Sequence, residues 1–173
     1  GIVYIEHDNG QLLFEVNLKD GKKNGLFRRW IPNGQLRWER NFKDGKEDGL
    51  WRWWYENGKL RYDHHYKDGE KDGLCRWWRE NGQLKEEYNY KDGQWDGLQR
   101  SWYENGQSWW EYNYKDGKPD GLQRRWDENG QLEEEENYKD GKRISEKKWD
   151  ENGQLEVEWN YKDGKLDGLV RMW

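Results

Sequence analysis

The fold is decided by residues 49–72, which read GLWRWWYENGKLRYDHHYKDGEKD. Two short runs rich in aromatic residues flank Asn57-Gly58, and the second run ends at Asp68-Gly69. Asn-Gly and Asp-Gly between such runs are typical of β-hairpins, because these residues accept the positive φ that tight hairpin turns need. Glycine recurs too often for a helix of ordinary length. We therefore expect two antiparallel strands in this stretch and no helix.

The same pattern repeats along the chain. Asn-Gly dipeptides recur at a spacing of 24 residues five times and then 23, ending at Gly10, Gly34, Gly58, Gly82, Gly106, Gly130 and Gly153. A fixed period of this length is the signature of a repeat array, in which each unit packs on its neighbours. The sequence predicts an all-β protein, an elongated single-layer antiparallel meander of fifteen strands in about seven tandem β-hairpin units. The expected bounds within one array, 1–173, are 1–24, 25–48, 49–72, 73–96, 97–120, 121–143, 144–167 and a partial unit, 168–173.

The composition supports a thin, ordered architecture. Only 31% of the residues are hydrophobic and 39% are charged, yet 17% are aromatic, whereas disordered chains have few aromatic residues. The net charge is -5 with the signs interleaved, so no basic tract suits nucleic acid or an anionic membrane. No apolar run approaches the roughly 20 residues of a membrane span. The printed chain has no signal-peptide pattern, which slightly favours the cytoplasm and otherwise leaves the compartment open.

The geometry of the Asn-Gly turn decides which residues share a face of the sheet, since a slip of one residue moves every side chain to the other face. A two-residue loop at 57–58 would set Arg52 opposite Asp63. A three-residue loop at 56–58 would instead gather the recurring apolar positions on one face. We prefer the second geometry and apply it to residues 67–69 as well.

On that register each unit has a recurring Leu-Arg-Trp face. The arginine is expected to lie against neighbouring tryptophan and tyrosine rings, with a carboxylate completing its contacts. In the sixth unit, Glu134 and Glu136 are expected on this face. The predicted structural core of the repeat is Leu50, Arg52, Trp54, Leu60, Tyr66, Leu74, Arg76, Trp78, Leu98, Arg100, Trp102, Leu122, Arg124 and Trp126.

The opposite face varies between units, and this is where repeat proteins usually carry their binding residues. Exposed tryptophan and tyrosine side chains are favoured interface anchors. Two other interpretations stay open: this face is buried by curvature or by a second copy of the chain, or its rings only stabilise the sheet as cross-strand pairs. The candidate binding residues are Phe27, Trp51, Trp53, Tyr55, Trp77, Tyr103 and Trp109.

The unit Gly-Leu-x-Arg-x-Trp-x-Glu-Asn-Gly-x-Leu, closed by Tyr-Lys-Asp-Gly, resembles the MORN repeat. In particular it is similar to the bacterial variant found in proteins labelled YwqK-family antitoxins. The resemblance covers nearly the whole of 1–173 and implies consecutive β-hairpins with roles in protein–protein contact. For eukaryotic relatives it implies a debated attachment to membranes or phospholipids, and the antitoxin label implies neutralisation of a toxin by binding. It carries no catalytic residue over to this chain.

The seventh unit departs from the pattern. Gly141 is followed by Lys142-Arg143-Ile144-Ser145 where other units have Asp-Gly-Leu, and one residue is missing. Ile144 or Ser145 must stand in for the leucine. We therefore expect a local bulge or kink at this point.

The residues give no catalytic or metal site. His64 and His65 are adjacent, so they point to opposite faces of a strand and cannot chelate one metal together. Cys75 has no histidine partner at a recognisable spacing, and the turn acids are flanked by lysines that oppose a dication. Acidic residues recur in every unit as structural positions would. We expect no cofactor, no metal and no enzymatic activity. The available hydroxyl nucleophiles other than tyrosine are Ser101, Ser108 and Ser145.

These observations favour a non-enzymatic repeat scaffold that mediates protein–protein interaction, with immunity-type neutralisation of a partner protein as its finer form. The alternatives are a carbohydrate-binding array that uses exposed tryptophan platforms, and a self-assembling structural protein. The expected partner is an unidentified protein, and end-to-end or face-to-face self-association stays open, as does carbohydrate. Nucleic acid and membranes are not expected partners.

Overall fold

A computed structural model describes residues 1–167 and 171–172, the last two by their backbone only. Every regular element in this part of the chain is a β-strand, and none of its segments is a helix able to cross a membrane. The strands are β1 (Ile2–Glu6), β2 (Leu12–Lys19), β3 (Lys22–Trp30), β4 (Leu36–Lys43), β5 (Lys46–Trp54), β6 (Leu60–Lys67), β7 (Glu70–Trp78), β8 (Leu84–Lys91), β9 (Gln94–Trp95), β10 (Gly97–Trp102), β11 (Ser108–Lys115), β12 (Lys118–Trp126), β13 (Leu132–Lys139), β14 (Lys142–Trp149), β15 (Leu155–Lys162), β16 (Lys165–Leu166) and β17 (Arg171–Met172). The expected all-β fold of tandem hairpins of about 24 residues is confirmed.

The chain forms two compact units. We call these the first unit and the second unit, and we call the 24-residue repeats hairpin units. The first comprises residues 1–84 and 90–93, and the second comprises residues 85–89 and 94–173. In each unit, strands that follow one another in sequence pair antiparallel, as in β4 with β5 and β5 with β6. The fifteen expected strands become seventeen because β9 and β10 are separated at Asp96, and β16 and β17 by residues 167–170, of which 168–170 lie outside the described part.

The two turns of a hairpin unit have different geometries. At the Asn-Gly turn the amide of Gly58 donates to the carbonyl of Tyr55 at 3.1 Å and the amide of Tyr55 donates to Lys59 at 2.8 Å, so the three-residue loop is confirmed. At the Asp-Gly turn Lys67 pairs directly with Glu70. The expected three-residue loop at 67–69 is therefore wrong. Asp68 and Gly69, with φ of 51° and 92°, form the two-residue turn that positive φ at both positions allows.

A β-bulge near the Asn-Gly turn changes the register that the turn sets. Trp54 pairs with Leu60, but Trp53 pairs with Tyr62, so Arg61 is an extra residue. Beyond the bulge Arg52 lies opposite Asp63, which was the register of the rejected two-residue loop. Sequence reasoning identified the turn correctly and missed the bulge, because no residue type in this stretch is specific to it.

The register beyond the bulge decides which side chains share a face of the sheet in each hairpin unit. The arginine face carries Leu50, Arg52, Trp54 and Leu60 of the repeat, with Asp63 opposite Arg52. The other face, which we call the tyrosine face, carries the recurring tyrosine of the Tyr-Lys-Asp-Gly motif. The expected placement of Tyr66 on the same face as Leu50 and Arg52 is wrong: the one-residue shift moves it to the tyrosine face, where its ring lies 5.5 Å from that of Trp51.

The tyrosine face is also the more buried one. Most of the buried side chains in the described part of the chain lie on it, including Trp38, Cys75, Gln99 and Gln123, whereas those on the arginine face are the carboxylates of Glu39 and Asp63. The Leu-Arg-Trp side chains are half-buried. The expectation of a single core layer on the Leu-Arg-Trp face is therefore wrong. More side chains are buried on the opposite face, which varies between hairpin units.

The Gly-Leu step of each unit is a second irregularity, and it requires glycine. Gly49 has φ of 102°, and a Cβ added there would lie 3.2 Å from Cβ of Asn41. The Asn41 side chain donates from Nδ2 to the carbonyl of Leu50 at 3.1 Å. In the next unit His65 replaces this asparagine and donates from Nδ1 to Leu74 at 2.7 Å. Side chains thus satisfy backbone groups that the irregular ladder leaves without a strand partner.

Polar side chains link each hairpin unit to the next one along the chain. Asn57 donates from Nδ2 to the carbonyl of Glu80 at 2.9 Å, in the Asn-Gly turn of the following unit. Asp120 accepts a hydrogen bond from the amide of Asp140 at 3.0 Å, in the following Asp-Gly turn. Asn57 also accepts a hydrogen bond from the amide of Lys59 in its own turn at 3.0 Å, so one side chain stabilises both the turn and the spacing of neighbouring hairpins.

The seventh hairpin unit has the expected bulge. Asn137 pairs with Ser145 and Tyr138 pairs with Arg143, so Ile144 has no partner across the strands and its side chain is 41% exposed. In the second and third hairpins three residues face one at the equivalent position, as 48–50 face Asn41 and 72–74 face His65. The missing residue therefore shortens this irregularity without shifting the strands on either side.

Candidate functional site

The arginine face of the first unit is a row of alternating charges. Strand pairing sets Arg28 opposite Glu39, Glu39 opposite Arg52, and Asp63 opposite both Arg52 and Arg76. Glu39 accepts from Arg28 at 3.4 Å and also binds Arg52. Asp63 accepts two hydrogen bonds from Arg76, at 3.2 and 2.8 Å. The carboxylates are buried, so each needs its guanidinium partner to stay charged.

The guanidinium groups also lie over tryptophan rings, as the sequence suggested. Arg52 lies 5.6 Å from the ring centroid of Trp54, and Arg76 lies 5.1 Å from that of Trp78. In the second unit Arg124 is paired with Glu135 at 2.8 Å. The expectation that Glu134 and Glu136 would serve here is wrong, because the bulge turns those two to the tyrosine face. The charged groups of this face are bound to one another, which describes a structural row.

The tyrosine face of the first unit is a cluster of rings. The His64 ring stacks on Tyr62 at 4.7 Å and lies 4.2 Å from Trp77, and Trp51 is 5.7 Å from Tyr62. Phe27 meets Trp38 edge-on at 4.8 Å in the same unit. Such tilted and edge-to-face contacts add to the burial of the rings themselves. Packing of these rings as cross-strand pairs was one of the interpretations that the sequence left open.

The cluster has an unusual electrostatic centre. His64 is 5% exposed and neither ring nitrogen has a hydrogen-bond partner. Burial, reinforced by the nearby charge of Lys71, lowers the pKa of His64 from 6.5 to about 3, so the imidazole is neutral at physiological pH. Cys75 beside it is fully buried, and burial raises the pKa of its thiol. No pattern in the sequence distinguished His64 from an exposed strand residue.

The seven candidate binding residues occupy three kinds of position. Four are half-buried on the tyrosine face of the first unit, namely Phe27, Trp51, Trp53 and Trp77. Two are half-buried at Asn-Gly turns and donate from their hydroxyls to the following unit: Tyr55 to Trp78 at 2.9 Å and Tyr103 to Trp126 at 2.8 Å. The seventh, Trp109, is 42% exposed. The structure therefore brings the first four together and leaves the other three apart.

The tyrosine face of the second unit holds a groove that sequence reasoning missed. Its volume is about 200 Å³. The one signal available was the 24-residue spacing of the recurring tyrosine, which places Tyr114 and Tyr138 on equivalent strands. The lining residues are Tyr112, Tyr114, Pro119, Gln123, Glu136 and Tyr138.

Three carboxylates beside this groove come close enough to share a cation. Oxygens of Glu134, Glu136 and Glu146 lie within 4.8 Å of one another. Arg143 already binds Glu136 and Glu146, at 2.5 and 2.8 Å, and Lys148 binds Glu134 and Glu146, at 3.2 and 3.0 Å. The negative charge of the cluster is thus compensated by side chains of the chain itself, which describes an ion-pair network.

The fold and its two faces define a β-hairpin repeat protein of the scaffold class, in which fixed residues hold the backbone and variable residues form a surface. The MORN repeat variant is found in six copies, at residues 23–44, 47–68, 71–92, 95–116, 119–140 and 144–163. These matches cover most of the chain, and the protein belongs to the MORN repeat variant family. No curated protein matches the chain. Members of this family are repeat scaffolds that bind proteins or membranes, and their fold is typically non-enzymatic.

Proposed function

We propose that this protein is a non-enzymatic scaffold that binds a protein partner through the tyrosine face of its first unit. The observation that carries the proposal is the contiguous ring cluster around Trp53 and Trp77. Phe27 and Trp51 belong to the same face. Tryptophan, tyrosine and arginine are the residues that dominate protein interfaces energetically.

The charges around these rings favour a particular kind of partner. Arg40 lies 3.9 Å over the ring of Trp51, Arg37 lies 5.6 Å over Trp53, and Lys71 lies 5.3 Å over Trp77. Arg29 projects from the same face and is exposed. At this basic rim Glu47 pairs with Arg40 at 3.6 Å. We therefore propose a partner with an apolar centre and an acidic rim, which would complement both parts of the surface.

The remaining candidate residues have supporting roles in this proposal. Tyr55 and Tyr103 fix the spacing of neighbouring units through their hydroxyls, and Trp109 offers a separate exposed ring. An array of tryptophan platforms for carbohydrate is disfavoured, because among the tryptophans with described side chains only Trp109 is exposed. Self-assembly has one supporting feature, the apolar side chains of β1, of which Ile2 and Ile5 are half exposed.

The test uses adjacent residues on opposite faces. The double variant Trp53→Ala with Trp77→Ala truncates the tyrosine face, and Trp54→Ala with Trp78→Ala truncates the arginine face of the same two strands. Immobilised wild-type protein is used to capture a partner, which is then purified and measured by calorimetry. We expect at least a hundredfold weaker binding for the first variant and less than tenfold for the second. Equal losses, or capture of nucleic acid or anionic vesicles in place of protein, would overturn the proposal.

The finer proposal is that binding neutralises the partner, as an immunity protein does, and it is supported by the resemblance of the repeat to proteins labelled as antitoxins. The partner identified above would be expressed alone and with this chain. Growth inhibition relieved by the wild type and not by the Trp53/Trp77 variant is the expected result. A partner that is harmless when expressed alone would remove the neutralising role and leave the scaffold role standing.

A further inference from the structure

The groove on the tyrosine face of the second unit has the form of a small ligand site. Tyr112, Tyr114 and Tyr138 supply its walls, Pro119 adds an apolar surface, and Gln123 and Glu136 add polar groups. Within the described part of the chain no two of these three rings stack or meet edge-on, whereas Tyr112 and Tyr88 each lie against Trp110, at 4.7 and 6.0 Å. The walls are therefore spaced apart around an open volume.

The walls are held in place by rings behind them. Tyr112 stacks on Trp110 at 4.7 Å with an angle of 19° between the ring planes. Tyr114 meets Trp95 edge-on at 4.9 Å, and Trp95 is itself stacked on Tyr88 at 5.5 Å. A site whose walls are fixed before binding loses little conformational entropy when a ligand enters.

A comparison of two glutamines shows a free acceptor in the groove. Both are buried, and both donate from Nε2 to an asparagine carbonyl: Gln99 to Asn89 at 2.9 Å and Gln123 to Asn113 at 2.7 Å. The Oε1 atom of Gln99 accepts from the amide of Asn89 at 2.8 Å. The Oε1 atom of Gln123 accepts no hydrogen bond from the described residues, and its two contacts are both made by Nε2. Gln123 thus offers a fixed acceptor to a ligand in the groove.

The charge of the groove favours a neutral ligand. Glu136 is its one ionised lining residue and accepts from Arg143 at 2.5 Å and from the hydroxyl of Tyr138 at 3.3 Å. The guanidinium of Arg125 lies near Tyr112, so its positive charge also reaches this groove. Glu134 and Glu146 beside the groove are also carboxylates, and both are paired with Lys148, so the negative charge around the site is compensated within the protein and is not available to hold a cation. Its remaining capacity is for hydrogen bonds.

We propose that this groove binds one ring of a neutral sugar. A volume of about 200 Å³ equals the share of six or seven waters at about 30 Å³ each, which is the size of one hexose. The C–H faces of a pyranose carry a small positive charge and suit the negative faces of aromatic rings. Its hydroxyls donate to Gln123 and Glu136 and exchange hydrogen bonds with the hydroxyls of Tyr112 and Tyr114. This site is separate from the protein-binding surface proposed in the first unit.

The probes are cellotetraose and chitotetraose, measured by saturation-transfer NMR and by titration of the full chain. We expect binding with Kd of about 1 mM or tighter. Tyr112→Ala removes a wall and should weaken binding at least tenfold, and Tyr114→Phe keeps the wall but removes a hydroxyl and should weaken it a few-fold. The side-chain amide signals of Gln123 should shift on binding, and those of Gln99 should not.

Trp109→Ala is the matched control, because it removes the exposed ring of the same unit outside the groove. It should leave binding unchanged. Loss of binding in that variant with retention in Tyr112→Ala would assign the sugar to Trp109 and overturn the proposal. Saturation by tetramethylammonium in place of sugar would show a cation site instead. No saturation by either oligosaccharide up to about 10 mM, or a Gln123 signal that stays fixed, would also refute it.

Discussion

Acidification should destabilise the first unit through His64. The imidazole is enclosed by Tyr62, Trp77 and Trp51, and both of its nitrogens lack partners. Lys71 lies close enough to oppose a second positive charge. The folded chain therefore keeps this side chain neutral, whereas the unfolded chain takes up a proton once the pH falls below about 6.5.

The magnitude follows from the difference in bound protons. The pKa of His64 is about 3 in the folded protein, against 6.5 for a free side chain. Stability is therefore fully present above pH 6.5 and is lost as the pH falls toward 3, because the unfolded state binds the extra proton. Between pH 7 and pH 5 the loss from this one residue is about 2 kcal/mol. The result needs only a native pKa below about 4, since the unfolded chain supplies the protonation in this window.

The assay is urea denaturation of wild type and His64→Tyr at both pH values, followed by tryptophan fluorescence. Tyrosine stands at the equivalent positions 88 and 112 of this chain, so the substitution keeps a ring that the fold accepts. The stability difference between pH 7 and pH 5 should be smaller in the variant by about 2 kcal/mol, or about 1 M urea for a slope near 2 kcal/mol/M. Equal pH dependence in both proteins, or a His64 NMR signal that titrates above pH 5, would refute the reasoning.

Three further results are expected. Asp63→Asn should lower the free energy of unfolding by about 2–3 kcal/mol, because it leaves Arg76 without its buried carboxylate, whereas Glu133→Gln, at an exposed pair with Arg125, should change it by less than about 1 kcal/mol; a similar cost for both in urea denaturation would contradict this. Gly49→Ala should destabilise by about 1–3 kcal/mol through positive φ and the close Asn41 side chain, and Gly21→Ala, with positive φ and open space, should cost less. Cys75 should react with a thiol reagent at pH 8 at least a hundredfold more slowly than in urea-unfolded protein, because the thiol is buried and its pKa is raised; labelling at the unfolded rate would show that the cluster around it is open.

The sequence predicted the fold because the information that sets it is local. Asn57-Gly58 and Asp68-Gly69 specify tight turns by their backbone preferences, and a 24-residue period requires each turn to recur in the same place. The bulge at Arg61 was not predictable in this way, since an extra residue in one strand is stabilised by the contacts it creates and not by its own type. That single residue reversed the assignment of Tyr66 and of the most buried face.

The candidate site was harder to predict for the same reason. Every side chain of a strand changes faces when the register shifts by one, so a correct list of aromatic residues can still misjudge their burial. The ring cluster around His64 and the groove beside Gln123 depend on which strands bring their variable residues opposite one another. Periodicity gives those positions, but only the observed pairing shows that one neighbourhood packs closed and the other stays open.

The recurring ion pairs lie on the arginine face, whereas the residues of the tyrosine face differ between hairpin units. This difference explains how such a protein can vary one surface. The arginine face and the turns hold the backbone through interactions that recur in each unit, such as Asp63 with Arg76 and Arg124 with Glu135. The tyrosine face contributes no comparable fixed pairing. It is aromatic around Trp51 in the first unit and polar around Gln99 in the second, while strand pairing of the same kind holds in both. We therefore expect that residues on the tyrosine face can be exchanged without loss of register, whereas changes to the arginine face should first alter stability.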